Sequence, residues 1–104
     1  MADKVDMLGG WTETKATDEI QKISNQVKDQ VERFTGKNYR EFEAVEYRSQ
    51  LVAGLNFLIK VHVGAEDYIH LRVFQALPCN GGEVVLRGVE QNRTKKDPLV
   101  PFIN

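Results

Sequence analysis

The sequence predicts an α+β domain in which one long helix packs across an antiparallel β-sheet. Three observations predict it. Apolar residues between positions 20 and 34 recur at helical spacing. The stretch after Gly54 alternates apolar and polar with a period of two. The later apolar runs are separated by short Gly- and Asn-containing turns. One helix followed by hairpin-connected strands places the helix on one face of the sheet. With 104 residues, 41% of them hydrophobic, the chain is one domain, residues 1–104, with a single modest core.

Residues 1–15 show no periodicity. Gly9 and Gly10 form a flexible joint between Leu8 and Trp11. Residues 1–10 are therefore a flexible N-terminal arm. Such a segment is either a disordered terminus or an arm that orders on binding, since glycines allow close backbone approach.

Thr17 to about Thr35 is the helix. Ile20, Ile23, Val27, Val31 and Phe34 form one stripe. Thr17 is the N-cap, and Asp18 and Glu19 suit the positive end. Gly36 is the stop. A stripe this regular packs on a sheet and carries no chemistry.

From Phe42 to Val63 the sequence reads as strand, with Gly54 its one Gly or Pro. A single strand of that length would span roughly 70 Å, against a radius of gyration of about 13 Å for such a domain. The run must fold back, and Gly54 is where positive φ costs least. Leu51, Val52 and Ala53 then lie at a hairpin tip. An apolar tip is a contact surface unless something covers it. The alternative is that the turn lies elsewhere and these residues are core strand. A parity slip between Phe42–Ala44 and Val45–Tyr47 suggests a bulge.

After the turn, Leu55, Phe57, Ile59, Val61 and Val63 face one way, and Asn56, Lys60 and His62 the other. Gly64 to Asp67 is a turn. Ile69, Leu71 and Val73 form the apolar face of the next strand. Tyr68, His70, Arg72 and Phe74 form the other, as in a sheet with one side wet. Leu77-Pro78-Cys79-Asn80-Gly81-Gly82 is a second connection. Val84-Val85-Leu86 begins a further strand, and the polar run Gln91 to Asp97 reads as a loop. Leu99, Val100 and Phe102, interrupted by prolines, form an edge segment or packed tail.

Several function classes drop out. A net charge of -1 argues against a nucleic-acid partner. No apolar run approaches the ~20 residues of a membrane span. The single cysteine, Cys79, forms no internal disulfide. With no secretory leader at the N-terminus, the expected location is cytoplasmic. Asn92-Arg93-Thr94 is a chance sequon in that setting. No enzyme is expected: His62 and His70 lie on different strands, and Cys79 has no nucleophile signature around it. Two histidines and scattered carboxylates make a weak case for a metal. No cofactor is expected.

Three unusual features remain: the Gly9-Gly10 arm, the Leu51-Val52-Ala53 tip and the Leu77-Pro78 turn. All combine apolar side chains with Gly or Pro, and together they suit a concave cleft. Gln50-Leu51-Val52-Ala53-Gly54 resembles the Gln-Val-Val-Ala-Gly signature of the cystatins, inhibitors of papain-like cysteine proteases. The likeness is closest to the stefin branch and covers nearly the whole chain. Leu8-Gly9-Gly10, Ala16 to Ile20, Asn56 to Gly64, Ile69 to Gln75 and Leu77-Pro78 follow the family's motifs in order.

The resemblance implies a cystatin-like fold and reversible, competitive inhibition of cathepsin-type proteases. Protease-binding residues would be Leu8, Gly9, Gly10, Gln50, Leu51, Val52, Ala53, Gly54, Leu77 and Pro78. It also implies a monomer that can exchange hairpin halves into a domain-swapped dimer. The rival reading is a non-inhibitory interaction module using the same edge. This chain departs from the pattern in four places. Leu51 replaces the usual first Val, the usual Pro before Ala16-Thr17 is missing, the tail before Leu8 is long, and Cys79 stands where His is common.

Overall fold

The computed structural model describes residues 12–102, without the side chains of Thr12 and Glu13. Five antiparallel strands form one sheet in sequence order: β1 (Thr12–Lys15), β2 (Glu43–Val52), β3 (Gly54–Gly64), β4 (Asp67–Gln75) and β5 (Val84–Arg93). Helix α1 (Asp18–Thr35) lies between β1 and β2 in the chain. No helix among the described residues is long and apolar enough to cross a membrane.

The helix ends are locally encoded. Thr17 is extended, and its Oγ1 accepts from the Ile20 N–H at 3.3 Å. Gly36 adopts φ +75°, and its N–H donates to the Glu32 carbonyl at 2.8 Å. Such left-handed C-caps favour glycine. Ile20, Ile23, Val27 and Val31 are buried against Phe57, Ile59, Val61, Ile69, Leu71, Val73 and Val89. Phe34, expected on the same stripe, is 59% exposed. An 18-residue helix is about 27 Å long, whereas the outer strands of five lie only about 19 Å apart. The last turn therefore overhangs the sheet.

Polar side chains of the helix tie it to both sides of the sheet. Gln21 Oε1 accepts from the Ala44 N–H at 2.8 Å, and its Nε2 donates to the Phe42 carbonyl at 3.0 Å. Gln30 Oε1 accepts from the Leu86 N–H at 3.4 Å. The expected bulge is present: Ala44 pairs with Val61 and Glu46 with Lys60, leaving Val45 out of register.

Three expectations are corrected. Residues 12–15, read as aperiodic, form edge strand β1 and pair with Lys15↔Glu46 and Thr12↔Ser49. Strand β5 continues to Arg93, through residues read as loop. It is an edge strand, where polar side chains are tolerated and discourage further pairing. The second face of the sheet is not simply wet. The segment after β5 crosses it and buries Leu99, Leu58 and His70, which are 2%, 0% and 1% exposed. Two hydrogen bonds hold this strap. Lys60 Nζ donates to the Lys95 carbonyl, and Arg48 Nη1 to the Leu99 carbonyl, both at 2.7 Å. Lys60 is itself buried, and Glu46 Oε1 lies 3.3 Å from its ammonium.

Candidate functional site

In an antiparallel meander, alternate connections fall at the same end. The β2–β3 turn and the β4–β5 connection share one end, because Leu55 pairs with Gln75. Thr12, the first described residue, pairs with Ser49 and so also lies toward that end. Leu8, Gly9 and Gly10 lie outside the described residues.

The first turn is tight. Val52 pairs with Gly54 across Ala53, and Leu51 with Leu55. Gly54 has φ +137° and is buried. A Cβ there would lie 2.7 Å from the Gln75 carbonyl oxygen and 2.7 Å from Cζ of Phe74. Phe74 is capped in turn by the Arg87 guanidinium, 5.2 Å from the ring centroid. Below the tip, Asn56 Nδ2 donates to Gln50 Oε1 at 3.1 Å across the Gln50↔Asn56 rung. The base of the hairpin is thus packed and hydrogen-bonded, while its tip is bare. Leu51 is 67% exposed, Val52 43%, and Ala53 is exposed beside them.

The second connection is a compact 3₁₀ turn, Pro78–Asn80. The Gly82 N–H donates to the Leu77 carbonyl at 3.0 Å, and the Ala76 N–H to the Glu83 carbonyl at 2.9 Å. Leu55, Gln75, Ala76, Leu77, Pro78, Gly81 and Gly82 line a shallow recess that joins the two loops. Pro78 and Cys79 are exposed. Of the ten residues expected to bind, the structure brings seven to one end: Gln50 to Gly54, Leu77 and Pro78.

The arrangement offers shape and apolar surface. Cys79 sits at the loop end, whereas His62 is near the far end of β3 and His70 is buried under the strap. Burial holds the His70 imidazole down to about 4, helped by the positive charges of Lys60 and Arg93. Asp97 and Glu46 pull the other way. Glu90 Oε1 is 3.7 Å from His70 Nδ1, beyond hydrogen-bond reach, and neither ring nitrogen has a hydrogen-bond partner among the described residues.

The cystatin domain profile matches residues 9–96. The chain belongs to the cystatin family. This cystatin is 50% identical over 102 residues to Cystatin-A1 of Sus scrofa, covering 97% of this chain and 98% of that protein. It is 52% identical over 97 residues to Leukocyte cysteine proteinase inhibitor 1 of Sus scrofa, covering 92% and 94%. It is 47% identical over 87 residues to Cystatin-B of Homo sapiens, covering 84% and 89%. The helix on a five-stranded antiparallel sheet agrees with the cystatin-like fold that the signature implies.

Proposed function

We propose that this cystatin is a reversible, competitive inhibitor of papain-like cysteine proteases of the cathepsin type, and not an enzyme. The observation that carries the reading is the bare Leu51-Val52-Ala53 tip on a rigid hairpin base, beside the Leu77-Pro78 turn. A relative 52% identical is named Leukocyte cysteine proteinase inhibitor 1, which supports the choice of partner.

The wedge enters the active-site cleft. Gln50 to Gly54 lies beside the catalytic cysteine, Leu77 and Pro78 contact the primed side, and Leu8, Gly9 and Gly10 run along the unprimed subsites. No scissile bond is offered to the nucleophile, so the protease is blocked by occlusion. A hairpin already held by the Gln50–Asn56 bond loses little entropy on docking. Nanomolar binding needs about -12 kcal/mol, and a few apolar anchors in pockets can dominate such a sum. The inhibitory form is the monomer, since a hairpin exchange through residues 51–54 would straighten the tip. An exposed unpaired thiol at Cys79 fits a reducing, cytoplasmic setting.

The test compares inhibition constants against papain. Leu51→Asp and Val52→Asp each weaken inhibition by about tenfold or more, with circular dichroism and Tm unchanged because both sites are exposed. Deletion of residues 1–10 also weakens it without unfolding the domain. Unaltered inhibition in all three variants rejects this edge as the contact surface.

A further inference from the structure

The end of the sheet remote from the loops carries a second constellation. Glu41 precedes β2, Glu43 opens it, and His62 is the direct cross-strand partner of Glu43 on β3. One ligand atom from each of the three lies within 4.8 Å of the others. We propose that Glu41, Glu43 and His62 bind a divalent transition-metal ion of the zinc and copper class.

The His62 ring is fixed from outside the trio. Its Nε2 lies 2.6 Å from the Ala65 carbonyl oxygen, and its face packs on Tyr68 with ring centroids 4.7 Å apart. A carbonyl only accepts, so Nε2 carries the proton of that bond. Metal-binding histidines are oriented in this way, one nitrogen donating to a backbone carbonyl and the other presented to the ion. Here the other nitrogen, Nδ1, faces Glu41 Oε2 at 2.5 Å. Nδ1 and a carboxylate this close share a cation, either a proton or a metal ion. A proton serves Nδ1 and Glu41 alone, whereas a divalent ion also engages Glu43.

The donor set selects the class. One imidazole and two carboxylates match zinc or copper, while calcium and magnesium favour all-oxygen sets. Bonds of about 2.0–2.2 Å place the ion off the Nδ1–Oε2 line, on the Glu43 side. Both glutamates are exposed and free to open by the fraction of an ångström this requires. A fourth position is left to water, as in sites with three protein ligands. The ion would clasp the start of β2 to the end of β3. Eight residues from Gly54, it lies about 26 Å from the protease-facing tip, so this site is independent of the inhibitory one.

The test is calorimetric titration of the full chain carrying Cys79→Ser with zinc chloride at about pH 7.5, since protons compete with the metal for its ligands. Saturable one-to-one binding, a Tm that rises with zinc, and affinity reduced about tenfold or more in Glu41→Gln and in Glu43→Gln support the site. His62→Gln abolishes it. Absence of saturation at millimolar zinc, or affinity unchanged in both glutamine variants, overturns the proposal. The two glutamates are exposed, so their variants fold whatever the fate of the His62 variant.

Discussion

Gly54 and Phe74 are in contact through the space where a side chain on Gly54 would begin: the ideal Cβ position lies 2.7 Å from Cζ of Phe74. Gly54 is thus required twice, for its φ of +137° and for this contact. Gly54→Ala is expected to cost about 1–3 kcal/mol, because the Gln75 carbonyl oxygen on the same side is backbone and cannot swing away. Thermal unfolding should show a Tm lower by roughly 4–8 °C per kcal/mol. Inhibition should weaken as the tip is displaced. An unchanged Tm would mean that the hairpin absorbs the methyl group freely.

The strap over the second face predicts a large effect far from the loops. Leu99 is buried against a sheet face that also holds Leu58, and its carbonyl accepts from Arg48. Leu99→Ala should destabilise the domain by about 2–5 kcal/mol, as buried Leu truncations do. Urea unfolding measures this directly. A loss below about 0.5 kcal/mol would place Leu99 among surface positions.

His70 makes stability depend on pH. Its folded value is depressed to about 4 from 6.5, chiefly by burial and then by Lys60 and Arg93. The folded state therefore resists protonation while the unfolded chain accepts it. The contribution is fully present above pH 6.5 and is lost as pH falls toward 4. The upper limit is about 3 kcal/mol. Urea unfolding between pH 7 and pH 4 should show a steeper loss for the natural chain than for His70→Leu. Parallel slopes would remove His70 from the account.

Cys79 brings a thiol to the contact edge beside Pro78, and it is exposed. Alkylation with iodoacetamide should weaken protease inhibition, because the added group enlarges the Leu77-Pro78 turn where it meets the cleft. Complete labelling with an unchanged inhibition constant would show that the thiol points away from the protease.

The features legible in the sequence are the ones that local chemistry encodes. The Thr17 cap, the Gly36 stop, the Gly54 reversal and the bulge near Val45 depend on a few neighbouring residues. The features missed depend on partners distant in sequence. Strand β1, Thr-Glu-Thr-Lys, has no apolar alternation and is defined by its pairing with β2. The strap has two prolines and no periodicity, so the sequence left Leu99 open between an edge segment and a packed tail, and its path across Leu58 and His70 was not legible. Phe34 keeps the helical spacing but falls beyond the sheet. At the functional edge, the turn residues were readable, whereas the support of Gly54 by Phe74 and Arg87 was not. The Glu41–Glu43–His62 group is assembled by strand register across nearly twenty residues, so no short motif announces it.

The most direct test of the central claim is a titration of active papain with the purified monomer, followed by hydrolysis of a fluorogenic peptide. Stoichiometric, reversible loss of activity that added substrate relieves is the predicted result. Full activity in the presence of micromolar folded monomer would contradict it and assign the Leu51 edge to a different partner.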